Sequence, residues 1–411
     1  MADSNIVTAL DIGTTKTCCV MAAVSETGEF NIIGFGNAPS TGMSRGMVVN
    51  VDRTVSSIKA AVAEAEHVAG TEVQNIILGV SGGNVDCHNT NGIVGVKDNR
   101  NHIVSEDDKK RAKHSAMARY VAPDRENLHS LEQEYLVDGE SGIKDPLGMM
   151  GKRLEVRMHL ITVSTNALQN ILNCVKLAGL RVEEEDIVLM SLASAEAVLT
   201  PQEKQMGVAL LDCGAGTTDI MLFAGGAARH TKVMSIGGDS LTRDIFKALR
   251  TTLESAELLK LQQGCCMRSL LGGSDQQIEI PGMNGASQEV SSQVLCDILE
   301  CRAEEILTHV HEEMIMSGFD QQISGIVLTG GASLLMGLPE LASEIFERPV
   351  RVGYPNYAGG LAEMVYSPMF STVMGLLQYA LKGEESSGAI AFRSAKKERG
   401  FFGNVLEKIL G

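Results

Sequence analysis

Two aspartates, each followed closely by glycines and threonines, are the residues of this chain best suited to chemistry. The first set is Asp11, Gly13, Thr14, Thr15 and Lys16; the second, far along the sequence, is Asp212, Gly214, Gly216, Thr217 and Thr218. A carboxylate at a strand end suits a hydrated divalent cation, which takes hard oxygen ligands. A glycine-rich turn leaves backbone N–H groups bare enough to face an anion. Taken singly, either set also fits an ordinary structural turn. Taken together, two copies imply two related lobes, each offering a phosphate loop to a shared cleft. A third motif, Thr329-Gly330-Gly331-Ala332-Ser333, follows the apolar run at 326–328. Backbone there can lie against a flat purine or an α-phosphate, and a helix start after it favours negative charge.

The elements that must hold these residues follow from periodicity. Residues 208–211 form an apolar strand that runs into Asp212, and 219–223 return from the turn, which makes a β-hairpin. Residues 6–10 and 18–24 do the same around the first set, and 31–36 add a third strand. Residues 42–46 read as a loop. Asp52 is the expected N-cap of a helix with Val55, Ile58, Ala61, Val62 and Ala65 along one face. A buried strand at 76–80 follows. Strands first and covering helices after is the order of a ribonuclease-H-like unit. Residues 84–162 change character: short strands near Val85, Ile93 and Val94, a charged helix capped by Ser105, strands at 128–137 and 154–162, and a polar loop at 138–152. This reads as an inserted α+β subdomain that offers an interaction surface rather than chemistry. A helix from Thr165 stops at Gly179; a strand at 181–189 and a helix at 192–199 lead to a crossing at Pro201. Helices from Thr242 and Ser255 come after the second hairpin. The helix at 290–316 carries Val294, Ile298, Arg302, Ile306, Val310 and Met314 as its expected core stripe, with Cys296 and Cys301 packed on it. A last globular helix covers 372–381.

Composition narrows the classes. The net charge of −16 argues against general nucleic-acid binding. Nine cysteines without zinc spacing, and with no secretion signal ahead of them, point to thiols acting as small apolar groups in a reducing cytosol. No run approaches the length of a membrane span. The last residues differ from all this. A polar stretch at 383–400 turns basic at Lys396, Lys397 and Arg399. In the final residues Phe401, Phe402, Val405, Leu406, Ile409 and Leu410 share one helical face. A terminal helix docked on its own domain is one reading. A weak, reversible anchor on an anionic membrane surface is the other, strengthened when several tails act together.

The two Asp-x-Gly hairpins, the Thr-Gly-Gly-Ala motif and this strand order resemble the actin, sugar-kinase and heat-shock-chaperone superfamily. Within it, the chain is similar to the bacterial cell-division family FtsA over nearly its whole length. The similarity is carried by residues 31–36, 133–135, 156–162, 229–233, 325–332 and 372–377 and by the amphipathic tail. The resemblance implies an α/β, two-domain actin-like (ribonuclease-H-like) ATPase fold with an inserted α+β subdomain and a C-terminal amphipathic helix. The first domain would take 1–83, 163–200 and 362–382; the insert 84–162; the second domain 201–361; a linker 383–400; and the membrane helix 401–411. It implies ATP with Mg2+: Gly13, Thr14, Thr15, Lys16, Gly214, Gly216, Thr217 and Thr218 on the phosphates, and Asp11 and Asp212 on the cation through water. Glu257, Lys260, Gly238, Gly330, Gly331 and Ala332 would lie on the nucleoside. It further implies self-assembly into filaments on the cytoplasmic face of the inner membrane and contact with later division proteins. The C-terminal peptide of FtsZ would dock near Arg302. The chaperones' water-positioning glutamate has no match in the helix around Glu196, which implies slow or negligible hydrolysis. An actin-like adaptor of a pilus platform and a sugar or acetate kinase are the alternatives.

Overall fold

The structure is a computed structural model. It describes residues 5–25, 29–97, 101–118, 122–272, 275–282, 287–356 and 359–386. The first residues of the linker expected at 383–400 belong to a helix that ends at Ser386; the rest of it and the segment 401–411, with Phe401, Phe402, Val405, Leu406, Ile409 and Leu410, lie outside the described residues.

The chain opens with the meander β1 (Asn5–Ile12), β2 (Lys16–Val24) and β3 (Phe30–Pro39). The expected loop at 42–46 is in fact a miniature hairpin, β4 (Met43–Ser44) and β5 (Met47–Val48). Helix α1 (Val51–Ala69) is capped by Asn50, whose side chain accepts from the Arg53 N–H at 3.0 Å. Asp52 is therefore not the cap. It sits in the first turn, where the positive helix end favours a carboxylate. Strand β6 (Ile77–Val80) runs parallel to β1.

The next segment holds β7 (Asp86–Gly95), α2 (Glu106–Met117), β8 (Arg125–Val137), β9 (Glu140–Ile143) and β10 (Arg153–Ser164). These strands form their own antiparallel sheet, in the order β7-β10-β8-β9. The Ser105 cap of α2 is a capping box with Asp108. The loop expected at 138–152 contains the short strand β9. A seam of polar bonds fastens this sheet to residues 228–231. Gln133 Nε2 donates to the Ala228 carbonyl at 2.7 Å, and Asn89 Nδ2 donates to that of Arg229 at 2.9 Å. The buried His159 Nε2 lies 2.9 Å from Thr231 Oγ1. Two of the stretches that carried the family resemblance thus sit on opposite sides of one seam.

Then come α3 (Thr165–Leu177), β11 (Ile187–Leu189), α4 (Met190–Val198) and α5 (Pro201–Met206). The strand expected at 181–189 is confined to its last three residues, because Glu184 to Asp186 form a 3-10 turn. Successive carboxylates cannot enter a strand whose residues are buried on both faces. Pro201 takes the first helical position, with Thr200 and Glu203 as a capping box.

The second lobe contains β12 (Val208–Cys213), β13 (Thr218–Ala224), β14 (Ala227–Met234), α6 (Gly238–Leu249) and α7 (Leu253–Gln263). A small hairpin, β15 (Gln277–Pro281) with β16 (Ser287–Ser291), leads into the long helix α8 (Ser292–Met316). Strand β17 (Gly325–Thr329), α9 (Leu338–Phe346) and β18 (Val350–Val352) complete its sheet, ordered β14-β13-β12-β17-β18. The chain then returns: β19 (Gly359–Gly360) pairs with β3, and α10 (Ser371–Ser386) packs under the first sheet, ordered β11-β6-β1-β2-β3-β19.

The stripe expected on α8 is only half right. Ile306, Val310 and Met314 are buried, but Val294 is 46% exposed, and Leu295, Leu299 and Ala303 take its place in the core. Each step of four residues advances a 3.6-residue helix about 40° past a full turn. Five such steps cannot stay on one face. Cys296 is buried and Cys301 is exposed, so only the first packs inward.

Alternation sorts each sheet into two faces. Leu10, Ile12, Cys19 and Met21 meet Ile58, Ala61 and Ala65 of α1 and Leu168, Ile171 and Val175 of α3. Ala9, Cys18, Val20 and Ala22 meet Val373, Met374 and Leu377 of α10. In the second lobe Ala209, Leu211, Ile220 and Leu222 face α6, α7 and α8. Their neighbours Val208, Leu210, Met221 and Phe223 face Leu192, Ala195 and Val198 of α4. Helix α4 also places Ala193 in the α10 core, so it lies between the two sheets and ties the lobes together. Among the described residues no helix is long and apolar enough to cross a membrane.

Candidate functional site

The two hairpins have the same turn. Gly13 N–H donates to the Lys16 carbonyl at 2.9 Å, and Gly214 N–H donates to that of Thr217 at 2.9 Å. The strand registers bring Asp11 opposite Cys18 and Asp212 opposite Asp219. The turns come together in space. A Cβ on Gly216 would lie 2.4 Å from Thr14 Oγ1 and 3.0 Å from the Arg45 Cα, so only a bare glycine lets the lobes approach here. The third motif joins them. Gly330 has φ +81°, and a Cβ on it would lie 2.4 Å from Asp212 Oδ1 and 2.6 Å from the Cys213 carbonyl oxygen. After it the chain makes one 3-10 turn, Gly331–Leu334, and α9 begins at Leu338. The helix start expected directly after the glycines is therefore absent, and the dipole argument does not apply there.

The carboxylates are held by specific partners. Lys16 Nζ lies 3.0 Å from Asp11 Oδ2 and 5.3 Å from the centroid of Phe370. Burial works to lower the Lys16 pKa, but the neighbouring Asp11 charge, helped by Cys18 and Asp212, leaves it raised. Asp212 Oδ2 accepts from Ser194 Oγ at 2.6 Å and from Thr372 Oγ1 at 3.3 Å. Burial raises the Asp212 carboxyl and the Asp11 charge adds to it, while the Ser194 bond works against both. Asp219 is 3% exposed, and its Oδ2 accepts from Ser81 Oγ across the lobes at 2.5 Å. Its Oδ1 is buried without a hydrogen-bond partner. Burial, and then the Asp212 charge, push Asp219 up to about 7.

These observations fit a polyanion with a divalent cation. Three carboxylates, one with an orphaned oxygen, converge beside turns whose cradle a Cβ would fill. Among the described residues no group of three or more His, Cys, Asp or Glu side chains could hold a metal by itself. A cation here would thus be held through water or through the anion it accompanies.

The other expected site residues divide. Gly238 N–H donates to the Gly214 carbonyl at 2.9 Å, which ties the start of α6 to the second turn. Lys260 Nζ binds Glu257 Oε2 at 2.8 Å, Thr242 Oγ1 at 2.9 Å and the Gly238 carbonyl at 3.3 Å, and a Cβ on Gly238 would lie 3.5 Å from that of Ala332. Glu257, Lys260, Gly238 and Ala332 therefore line one corner, and Gly331 is exposed beside Met369. Thr15 is exposed at the tip of the first turn, and Thr217 is half-buried. Thr218 faces inward instead: its hydroxyl is buried and donates to the Ile236 carbonyl at 2.9 Å. Arg302 lies away from the cleft on α8. Its Nε is 2.5 Å from Asp244 Oδ2, and its other end pairs with Glu305. Glu196 pairs with Lys204 at 2.8 Å.

Sequence reading missed Ser81, Ser194, Thr372 and Asp219. The first three are short hydroxyl side chains on apolar elements and carry no local signal. Asp219 did carry one: its place across a tight hairpin from Asp212 follows from counting the turn.

Comparison with known proteins now bears on this geometry. Residues 209–375 match the model of the family described as "Cell division protein FtsA", and residues 82–162 match that of the SHS2 domain inserted in it. The chain is 41% identical over 385 residues to the cell division protein FtsA of Pseudomonas aeruginosa, spanning 93% of this chain and 91% of that one. It belongs to the FtsA family. Solved structures show the same actin-like fold at low identity. One is a type IV pilus biogenesis complex, PilM-PilN, with a TM-score of 0.64 at 16% identity over 91% of this chain and 98% of that one. Another is MreB5 of Spiroplasma citri bound to ADP, with a TM-score of 0.56 at 14% identity over 94% and 99%. FtsA membership sets aside the pilus-adaptor and sugar-kinase alternatives. The FtsA insert coincides with the sheet built from β7 to β10.

Proposed function

We propose that this FtsA-family protein binds ATP with Mg2+ between its lobes and uses that binding to control assembly on a membrane. The observation that carries the reading is the meeting of the twin turns: Thr14 against Gly216, with Asp11, Asp212 and Asp219 around them. Gly13, Thr14, Thr15, Lys16, Gly214, Gly216 and Thr217 would hold the phosphates, and Asp11 and Asp212 the cation through water. Glu257, Lys260, Gly238, Gly330, Gly331 and Ala332 would border the nucleoside. Thr218 is kept out of this set because its hydroxyl is already spent. When bound, the divalent cation would offset the negative charge shared by the carboxylates and the phosphates, and the nucleotide would bridge the two lobes. The chain's own groups favour binding over turnover: Glu196 is engaged by Lys204, and Ser194 is engaged with Asp212. ATP then acts as a ligand that shifts the assembly equilibrium.

The same reading assigns the remaining parts. The amphipathic sequence at 401–411 anchors filaments at the cytoplasmic face of the inner membrane. The surface around Arg302 takes the C-terminal peptide of FtsZ and so tethers its ring. The inserted sheet receives neighbouring subunits and later division proteins. Electron microscopy of the protein on an anionic lipid monolayer, with and without residues 401–411, tests this. ATP-dependent filaments that need those residues are expected. Filaments formed equally without ATP, or without the tail, would count against it.

A further inference from the structure

The tip of the miniature hairpin β4–β5 carries a feature that its own folding does not explain. Met43 pairs with Val48 and Ser44 with Met47, which leaves Arg45 and Gly46 as a two-residue turn. Both have positive φ, +50° and +74°. This is the backbone of a turn that favours Asn, Asp or Gly at its first position, and arginine gains nothing there. Among the described residues the exposed Arg45 side chain makes no hydrogen bond or ion pair.

The turn is nevertheless wedged between both lobes. Gly46 N–H donates to Thr14 Oγ1 at 3.3 Å, in the first phosphate turn. The Arg45 Cα would lie 3.0 Å from a Cβ on Gly216, in the second. Gly46 also packs on Gly82, one residue after the Ser81 that binds Asp219. The backbone of a strained, unpartnered arginine thus lies against both turns that carry the carboxylates, while Lys16 of the first turn is already paired with Asp11. Backbone strain of this kind persists where the surroundings impose it, and it marks functional positions.

From this placement we infer that Arg45 is a phosphate-binding residue that contacts the terminal phosphates of the nucleotide when the turns enclose them. The inference rests on the cleft being a nucleotide site. Guanidinium suits the task, since its planar fork bonds two phosphate oxygens at once and it stays charged at any working pH. A contact from the hairpin tip reaches the outer phosphates and not the nucleoside corner lined by Glu257 and Lys260. The protein would therefore distinguish ATP from ADP through this side chain, and adenosine would not sense it.

The test compares Arg45→Gly, Arg45→Lys and the unchanged chain, titrated with fluorescent ATP, ADP and adenosine in the presence of Mg2+. Arg45→Gly removes the charge while fitting the left-handed backbone, so it should melt no lower than the parent without nucleotide. It should bind ATP about ten- to a hundredfold more weakly, the range of a charge-assisted bond. ADP should lose less and adenosine nothing, and Arg45→Lys should recover part of the loss. Unchanged ATP affinity in Arg45→Gly would overturn the assignment, as would equal losses for ATP and adenosine. If the unchanged chain bound no ATP at all, the cleft reading itself would fall, and that result is distinct from both.

Discussion

Asp219→Asn gives the sharpest test of the electrostatics in the cleft. In the folded chain burial and the Asp212 charge hold this carboxyl up to about 7, against 3.8 for an unperturbed aspartate. Between those values the folded state keeps a proton that the unfolded chain has lost. Stability contributed at this position therefore falls as pH rises from about 4 to about 7 and then levels off. At 1.36 kcal/mol per unit, the cost to the folded state is on the order of 4 kcal/mol at pH 8 and roughly 1.5 kcal/mol at pH 5. Asparagine keeps the shape and an acceptor for Ser81 but does not titrate. Its amide is left partly unsatisfied in the buried space beside Asp212, at a cost of about 1–3 kcal/mol that does not depend on pH. The difference in unfolding free energy between variant and parent should thus grow in the variant's favour by roughly 2.5 kcal/mol from pH 5 to pH 8. Urea denaturation without nucleotide at several pH values measures it. Parallel stability curves for the two proteins would refute the claim that this carboxyl is held protonated.

Four further outcomes are expected. Gly330→Ala forces a side chain onto a backbone with φ +81° and against Asp212 Oδ1, and should destabilise the chain by about 1–3 kcal/mol in denaturant titrations. Ser194→Ala removes the stronger of the two donors, Ser194 and Thr372, that lower the Asp212 pKa. Magnesium-dependent ATP binding should then require a higher pH, while magnesium-free binding stays put. Arg302→Ala breaks pairs with Asp244 and Glu305 that together contribute no more than about 1 kcal/mol at this half-buried position. Its melting point should barely move, whereas titration with the FtsZ C-terminal peptide should weaken; identical titration curves would exclude that surface. Phe401→Glu places a charge on the apolar face of the tail and should release the protein from sedimenting anionic vesicles.

Local chemistry alone was enough for much of this. Aspartate, glycine and threonine in fixed order specify a strand, a bare turn and a returning strand, whatever surrounds them, and so both glycine hairpins were readable. Ser105 and Asp108 specify a helix start by themselves. The Asn50 cap was misplaced by two residues because Asn50 and Asp52 both satisfy the local rule, and only the path of the preceding chain selects one. The α8 stripe failed for another reason: a four-residue spacing overruns the helix by about 40° a step, so in its first half the core face passes to Leu295, Leu299 and Ala303. Tertiary structure decided what one element does to another. Ser81 reaches Asp219, Ser194 and Thr372 reach Asp212, and Arg45 lies against Gly216, each pair drawn from distant parts of the chain. Distance between atoms, and the burial that lifts the Asp219 pKa, come into being only when the lobes close on one another.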